Sequence, residues 1–366
     1  MATRWQERRK QMATSSPPPQ TQRWGLQALR APRAEAPDHT DLPKRSTPRW
    51  RRTRRVLLVS ALVIALLAVT GLLYQTIASA QDASSYPAPG KLIDVGGYRL
   101  HLSCTGTARP GSPTVILEAG YGNSLLVWSK VQPAVAAFTR VCSYDRAGYG
   151  WSDTDPLPRT AGRMVTELHT LLARAGVAGP YVLVGHSYGG LIMQLYTYTY
   201  PQQVAGLVLI ESMHVDQFRY PDLHFGALPP ICQALAPFGI VRLFGLAVPA
   251  YIGEYPPTAQ PAAKAHFNQT RLCQTASDEY AGMEASFVQV RAARQPLGRL
   301  PLVVLTHGHS YLGPQAEQDW QALQRDLAGL SSDSVHIMAT SSEHFIQLQQ
   351  PELVIAAIQQ ALTGTV

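Results

Sequence analysis

Hydrophobic positions fall into two regimes along this chain. Residues 56–74, VLLVSALVIALLAVTGLLY, run without a single charge. From about residue 91, short Val/Ile/Leu runs alternate instead with amphipathic stretches. KLIDV and YRLHLSC, joined around Gly96-Gly97, predict a hairpin. PTVILEAG, TRVCSYD, YVLVGHS, GLVLIE, PLVVLTHG and SVHIMAT predict further buried strands. Their continuous apolar character suits a sheet covered on both faces. In residues 163–175, Met164, Leu168, Leu171, Leu172 and Ala175 keep to one helical face, and Pro351 to Leu362 predicts a closing helix. Strands alternating with helices imply the α/β class and a mostly parallel sheet. Residues 212–300 break this rhythm. Ordinary connections are about two to six residues long, so this interval is read as a helical cap over the site.

The uncharged run changes the picture of where the chain resides. At about 1.5 Å rise per residue its 19 residues just span a hydrocarbon core of roughly 30 Å. Arg49, Arg51, Arg52, Arg54 and Arg55 precede it, and no Lys or Arg follows until Lys91. The positive-inside rule then predicts a single-pass membrane protein with a cytoplasmic tail and an extracytoplasmic C-terminal domain. Residues 1–55 read as a disordered basic tail, since residues 1–50 hold seven prolines and no sustained period. Residues 75–90 read as a linker, and 91–366 as the folded domain. Ala78-Ser79-Ala80 also fits a signal-peptide cleavage pattern, so secretion after cleavage near Ala80 stands as the alternative to a retained anchor. The tail carries 14 Lys/Arg and 4 Asp/Glu, a net of +10. The whole chain is +7, which leaves −3 for residues 56–366. The basic excess therefore belongs to the tail, and the rest of the chain has none with which to neutralise nucleic-acid phosphates.

The chemistry concentrates in YVLVGHSYGG, residues 181–190. A buried strand runs into Gly185-His186-Ser187-Tyr188-Gly189 and on into a helical stretch, which is G-x-S-x-G in a strand-to-helix elbow. The tight turn brings backbone against backbone at Gly185 and Gly189, exposes the Ser187 hydroxyl, and aims a helix N-terminus at the site. Serine needs a base. Of the 11 histidines, His344 stands out, because it follows the last predicted strand in the turn SSEHF. His186 is expected to pack under the elbow, and His307 and His309 are minor rivals. An oxyanion hole needs two N–H donors. The backbone of Tyr188 is one candidate, and Tyr121 in Gly120-Tyr121-Gly122 is the other. No cluster has metal-ligand spacing and no phosphate-cradling glycine motif is present, so no metal and no cofactor are expected.

At this point residues 91–366 resemble the α/β-hydrolase superfamily, especially its capped esterase, lipase and peptidase-like members. LEAGYGNSLLVW, YDRAGYGWSD, VLVGHSYGG and EHFIQLQQPELV carry the resemblance. It implies an eight-stranded, mostly parallel sheet with the site at the carboxyl ends of the strands. It also implies a scaffolding role for Asp145 and Arg146. Three places depart from the pattern. Glu118-Ala119-Gly120 stands where many members have His-Gly, Glu343 replaces a small residue, and the acid common near Ser310 is missing. Glu211, at the end of GLVLIE, is the preferred acid, since some superfamily members resemble this arrangement with the acid one strand inward. Asp216, Glu317 and Asp319 are its rivals. The resemblance also sets Cys104 and Cys142 on neighbouring strands and both Cys232 and Cys273 in the cap, which implies those two disulfides out of three pairings. The function expected is a serine hydrolase that cleaves a small hydrophobic ester, thioester or amide through an acyl-serine. The alternatives are a non-catalytic membrane-anchored binding module on the same scaffold and a cofactor-free perhydrolase or acyltransferase. Oligomeric state is not legible.

Overall fold

The computed structural model describes residues 49–108, 111–155, 158–309 and 312–364. The first 48 residues of the expected tail, and the position near Ser310 where an acid is common, lie outside the described residues. The chain divides into two compact units after Leu58. The described residues of the first are the opening turns of the helix Arg49–Ser85. That helix is long and apolar enough to cross a membrane, by length and composition. It overruns the uncharged segment at both ends, taking in residues 49–55 of the expected tail and 75–85 of the expected linker.

The second unit holds eight strands: β1 (Lys91–Asp94), β2 (Arg99–Thr105), β3 (Thr114–Glu118), β4 (Val141–Asp145), β5 (Tyr181–His186), β6 (Val204–Ile210), β7 (Leu302–His307) and β8 (Ser334–Ala339). They form one sheet in the order β1-β2-β4-β3-β5-β6-β7-β8. β1 and β2 pair antiparallel, β2 joins β4 antiparallel, and the remaining pairs are parallel. This is the α/β-hydrolase fold that the resemblance implies. Period-two side chains feed two apolar layers. On one face Ile116, Leu183, Leu207 and Val304 pack with Leu168 and Leu172 of the helix Ala161–Arg174 and Leu191 of the helix Tyr188–Thr199. On the other face Leu117, Val182, Val208 and Val303 meet Val354 and Ile358 of the helix Pro351–Thr363. Sandwiching the sheet this way holds the carboxyl ends of β3, β5 and β6 rigid.

Between β6 and β7 lie the helices Pro230–Leu235, Ile240–Leu243, Gln260–Phe267, Leu272–Ala281 and Met283–Ala293. They are the helical insertion expected over 212–300. Cys104 stands directly opposite Cys142 in the β2–β4 register, and the two form a disulfide at a Cα–Cα distance of 4.0 Å. Cys232 and Cys273 form a second, linking two insertion helices at 5.8 Å between Cα atoms. Sequence separations of 38 and 41 make each crosslink worth on the order of 4 kcal/mol in a chain-entropy account. Peptide mapping without reduction should recover both crosslinked pairs, with no thiol alkylated until a reductant is added. Alkylation of all four cysteines in the native chain would contradict this.

Candidate active site

β5 runs directly into a strained turn. Ser187 sits at φ 54°, a left-handed conformation that costs a non-glycine residue about 1–3 kcal/mol. Three backbone hydrogen bonds hold it there. Its N–H donates to the Ile210 carbonyl at 3.0 Å, and its own carbonyl accepts from Gly190 at 2.9 Å and Met213 at 3.0 Å. The glycines of the motif are required by close approach. A Cβ at Gly185 would lie 2.6 Å from the Gly189 carbonyl oxygen, and one at Gly189 would lie 2.5 Å from that of Ala119. The helix from Tyr188 follows at once, so the Tyr188 N–H is one of the four helix-start donors without an intrahelical partner. The Tyr188 side chain is buried, and its hydroxyl meets Ser286 Oγ of the insertion at 2.9 Å.

Glu211, one residue past β6, is fully buried and is the other described non-glycine residue with positive φ, at 47°. Its carboxylate collects four donors. The backbone N–H of His307 and Trp320 Nε1–H reach Oε1 at 2.8 and 3.2 Å. His307 Nδ1 and His344 Nδ1 reach Oε2 at 2.9 and 3.3 Å. Burial alone would raise the Glu211 pKa, but the hydrogen bonds from His307 and His344 override it and hold the group at about 2. The carboxylate is therefore ionised, and the fold brings the expected acid to the expected histidine. Among the rivals, Glu317 bonds the far nitrogen of His307 at 2.8 Å, Asp319 bonds Gln315, and Asp216 pairs with Arg219 and Arg291.

Ser187 and His344 line one cavity of about 380 Å³, together with Tyr121, Leu223, Phe225, Tyr251 and Phe345. Among the described residues no hydrogen bond joins the Ser187 and His344 side chains. Such contacts commonly close only when substrate is bound. His186 packs beneath, and its Nε2–H donates to the His344 carbonyl at 2.9 Å. Burial first, then the neighbouring His344, pushes its pKa down to about 3, so His186 stays neutral and supports the histidine loop. His309 is exposed and donates its backbone N–H to the Ser342 carbonyl.

The loop after β3 is held from below by Arg146. Its Nη1 donates to the Ala119 carbonyl at 2.6 Å and its Nη2 to the Gly120 carbonyl at 3.0 Å. Since a trans peptide points C=O and N–H in opposite directions, this turns the Tyr121 N–H away from Arg146. Asp145 has the scaffold role expected of it, accepting from the Leu125 and Trp151 backbones at 2.8 and 3.1 Å and from His101 at 2.9 Å. Sequence reading missed the second histidine on Glu211. His307 figured there only as a rival base.

A family profile described as the alpha/beta hydrolase fold matches residues 113–230. YqjL of Bacillus subtilis, a protein of uncharacterised role, is 29% identical over 270 residues, spanning 73% of this chain and 90% of its own length. The solved enol-lactonase from Burkholderia xenovorans superposes with a TM-score of 0.57 at 18% identity, over 75% of this chain and all of its own. An epoxide hydrolase mutant of Vigna radiata gives 0.59 at 16%, over 75% and 98%. At these identities the two structures bear on the fold alone.

The histidine behind Glu211 gives a pH signature. Burial opposes its charge, but the Glu211 and Glu317 carboxylates raise the His307 pKa to about 9, above an unfolded value of about 6.5. Stability from the protonated ring is present in full below the unfolded value and is lost as pH rises through about 9. Thermal midpoints measured from pH 6 to 10 should show the stability gap between the natural chain and His307→Gln narrowing across that window. A gap independent of pH would mean that the ring carries no charge.

Proposed function

We propose, from the α/β-hydrolase fold that this chain has, that it is a serine hydrolase cleaving a small hydrophobic ester, with thioesters and amides as the neighbouring classes. The observation that carries the reading is one cavity shared by a strained Ser187 and by His344, whose ring bonds an ionised, buried Glu211. His344 Nε2 takes the Ser187 proton as Oγ attacks the substrate carbonyl carbon. Charge gathers on the carbonyl oxygen, where the Tyr121 and Tyr188 N–H groups serve as the oxyanion donors. Glu211 fixes the Nδ1–H tautomer of His344 and stabilises the imidazolium. His344 then protonates the leaving alcohol, thiol or amine, and a water, deprotonated by the same ring, hydrolyses the acyl-serine. The aromatic and aliphatic lining favours a hydrophobic acyl or alcohol group.

We also read the helix Arg49–Ser85 as a retained single-pass anchor through residues 56–74, with the catalytic domain outside the cytoplasm. Ala78-Ser79-Ala80 lies inside that helix, and Gln75, three residues before Ala78, is buried with its amide on the Asn268 carbonyl at 3.1 Å. Those contacts support retention over cleavage.

A fluorophosphonate probe should label the natural chain and not Ser187→Ala, which keeps its fold while kcat drops by about 10⁴-fold or more. A folded natural chain that never labels would favour the non-catalytic scaffold. Glu211→Gln should leave KM within a few-fold yet lower kcat by about 10⁴-fold, because the wrong tautomer is held. Near-normal turnover would move the acid elsewhere. Protease added outside intact cells should digest residues 91–366 and spare residues 1–55; protection of the catalytic domain would reverse the orientation.

A further inference from the structure

Outside the N-terminal helix, seven large apolar side chains are exposed among the described residues, and four of them fall between positions 231 and 246. Ile231 is 58% exposed, Leu243 65%, Phe244 69% and Leu246 63%. They stand on the short helices Pro230–Leu235 and Ile240–Leu243 and the turn that follows. The Cys232–Cys273 disulfide ties this tip back to the helix Leu272–Ala281. A soluble surface rarely gathers such residues into one patch without a partner.

The N-terminal helix says what the partner is. Its backbone packs on the same tip. A Cβ at Gly71 would lie 2.3 Å from the Phe238 carbonyl oxygen, and one at Gly239 would lie 2.6 Å from Tyr74. Polar contacts begin where the apolar run ends. Gln75 meets Thr270 Oγ1 at 3.3 Å, Arg242 Nε donates to Gln75 Oε1 at 3.1 Å, and Arg242 pairs with Asp82 at 2.7 Å. The level of Gly71 is about 5 Å, three residues of rise, inside the end of the uncharged segment. A tip fastened to the helix at that level enters the headgroup and acyl boundary, the depth at which interfacial apolar faces settle.

We propose that the tip at residues 231–246 is a membrane-contact surface. Leu243, Phe244 and Leu246 insert into the lipid leaflet beside the anchor, so the insertion over the site lies on the bilayer. The inference rests on the anchor reading above, and the experiment separates the two. All described cysteines are in disulfides, so an introduced thiol can be labelled alone. The full chain carrying Phe244→Cys, Leu246→Cys, Leu66→Cys or Val288→Cys is labelled with an environment-sensitive nitrobenzoxadiazole dye and placed in phosphatidylcholine vesicles. Acyl-brominated phosphatidylcholine should quench the probes at 244, 246 and 66 by about two-fold or more and leave that at 288, exposed on the helix Met283–Ala293, unchanged. Quenching at 66 without quenching at 244 and 246 overturns the proposal and spares the anchor. No quenching at 66 removes the anchor and the proposal with it. A blue shift at 244 that grows with protein concentration, without quenching, assigns the patch to a second copy of the chain and also overturns it.

Discussion

One buried cation ties the substrate loop, the sheet and the insertion together. All five N–H groups of Arg146 are occupied: Nε and Nη2 reach Glu279, Nη1 reaches Glu118, and the remaining bonds go to the Ala119 and Gly120 carbonyls. A guanidinium this deep would be untenable alone. With both carboxylates present, the loop after β3 has one position, set from β4 and from the helix Leu272–Ala281 at the same time. Removing the cation would leave Glu118 and Glu279 buried and unpaired, a loss of about 3–5 kcal/mol in comparable cases. Two carboxylates against one cation leave an excess negative charge. Burial, only partly offset by Arg146, raises the Glu118 pKa to about 7, so a proton there readily balances the cluster. The hydroxyls of Tyr144 and Tyr149 complete it, bonding Glu118 and Glu279 respectively.

The second constraint is strain. Among the described non-glycine residues, positive φ occurs at Ser187 and Glu211 alone, and both face the site. Each is over-determined by hydrogen bonds to its neighbour strand. Ser187 N–H is held by Ile210 of β6, and Glu211 N–H by Leu305 of β7 at 2.8 Å. The sheet thus transmits its rigidity to the two residues whose geometry the proposed reaction needs. The Arg146 clamp supplies the third fixed point, the Tyr121 peptide.

The eight strands were legible because each is a short apolar run between turn residues, and the elbow because its spacing between strand and helix is local, with Gly185 dictated by the backbone of Gly189 and Gly190, although Gly189 answers to the distant Ala119 carbonyl. Glu211 was preferred on chain order, on the lack of an acid adjacent to the end of β7, and on a resemblance to superfamily members with the acid one strand inward. What escaped was long-range. Nothing periodic links Glu279 to Arg146, 133 positions away, or marks Trp320 as a donor rather than a core side chain. Glu118 registered only as a departure from the family pattern, because its role appears once β4 lies beside β3. The helix boundary at Tyr74 was misplaced for a related reason. QTIASAQDASS has an unremarkable helix propensity, and contacts from residues 242, 268 and 270 prolong the helix beyond the apolar run.

With the proposed acid at the end of β6, the end of β7 is left for a different task, and His307 occupies it. A carboxylate in this position must stay ionised while fully desolvated, and one neutral histidine is weak compensation. A protonated His307 answers that need, yet by itself it would blunt the attraction of Glu211 for an imidazolium on His344. Glu317, less buried and bonded to the other nitrogen of His307, restores the balance. In the resting state the chain Glu211, His307 and Glu317 then carries one net negative charge. In the proposed cycle the proton arriving on His344 cancels that charge. The developing cation is met by a preorganised group of opposite sign, with little solvent to reorganise, which is the condition under which electrostatic stabilisation is strongest.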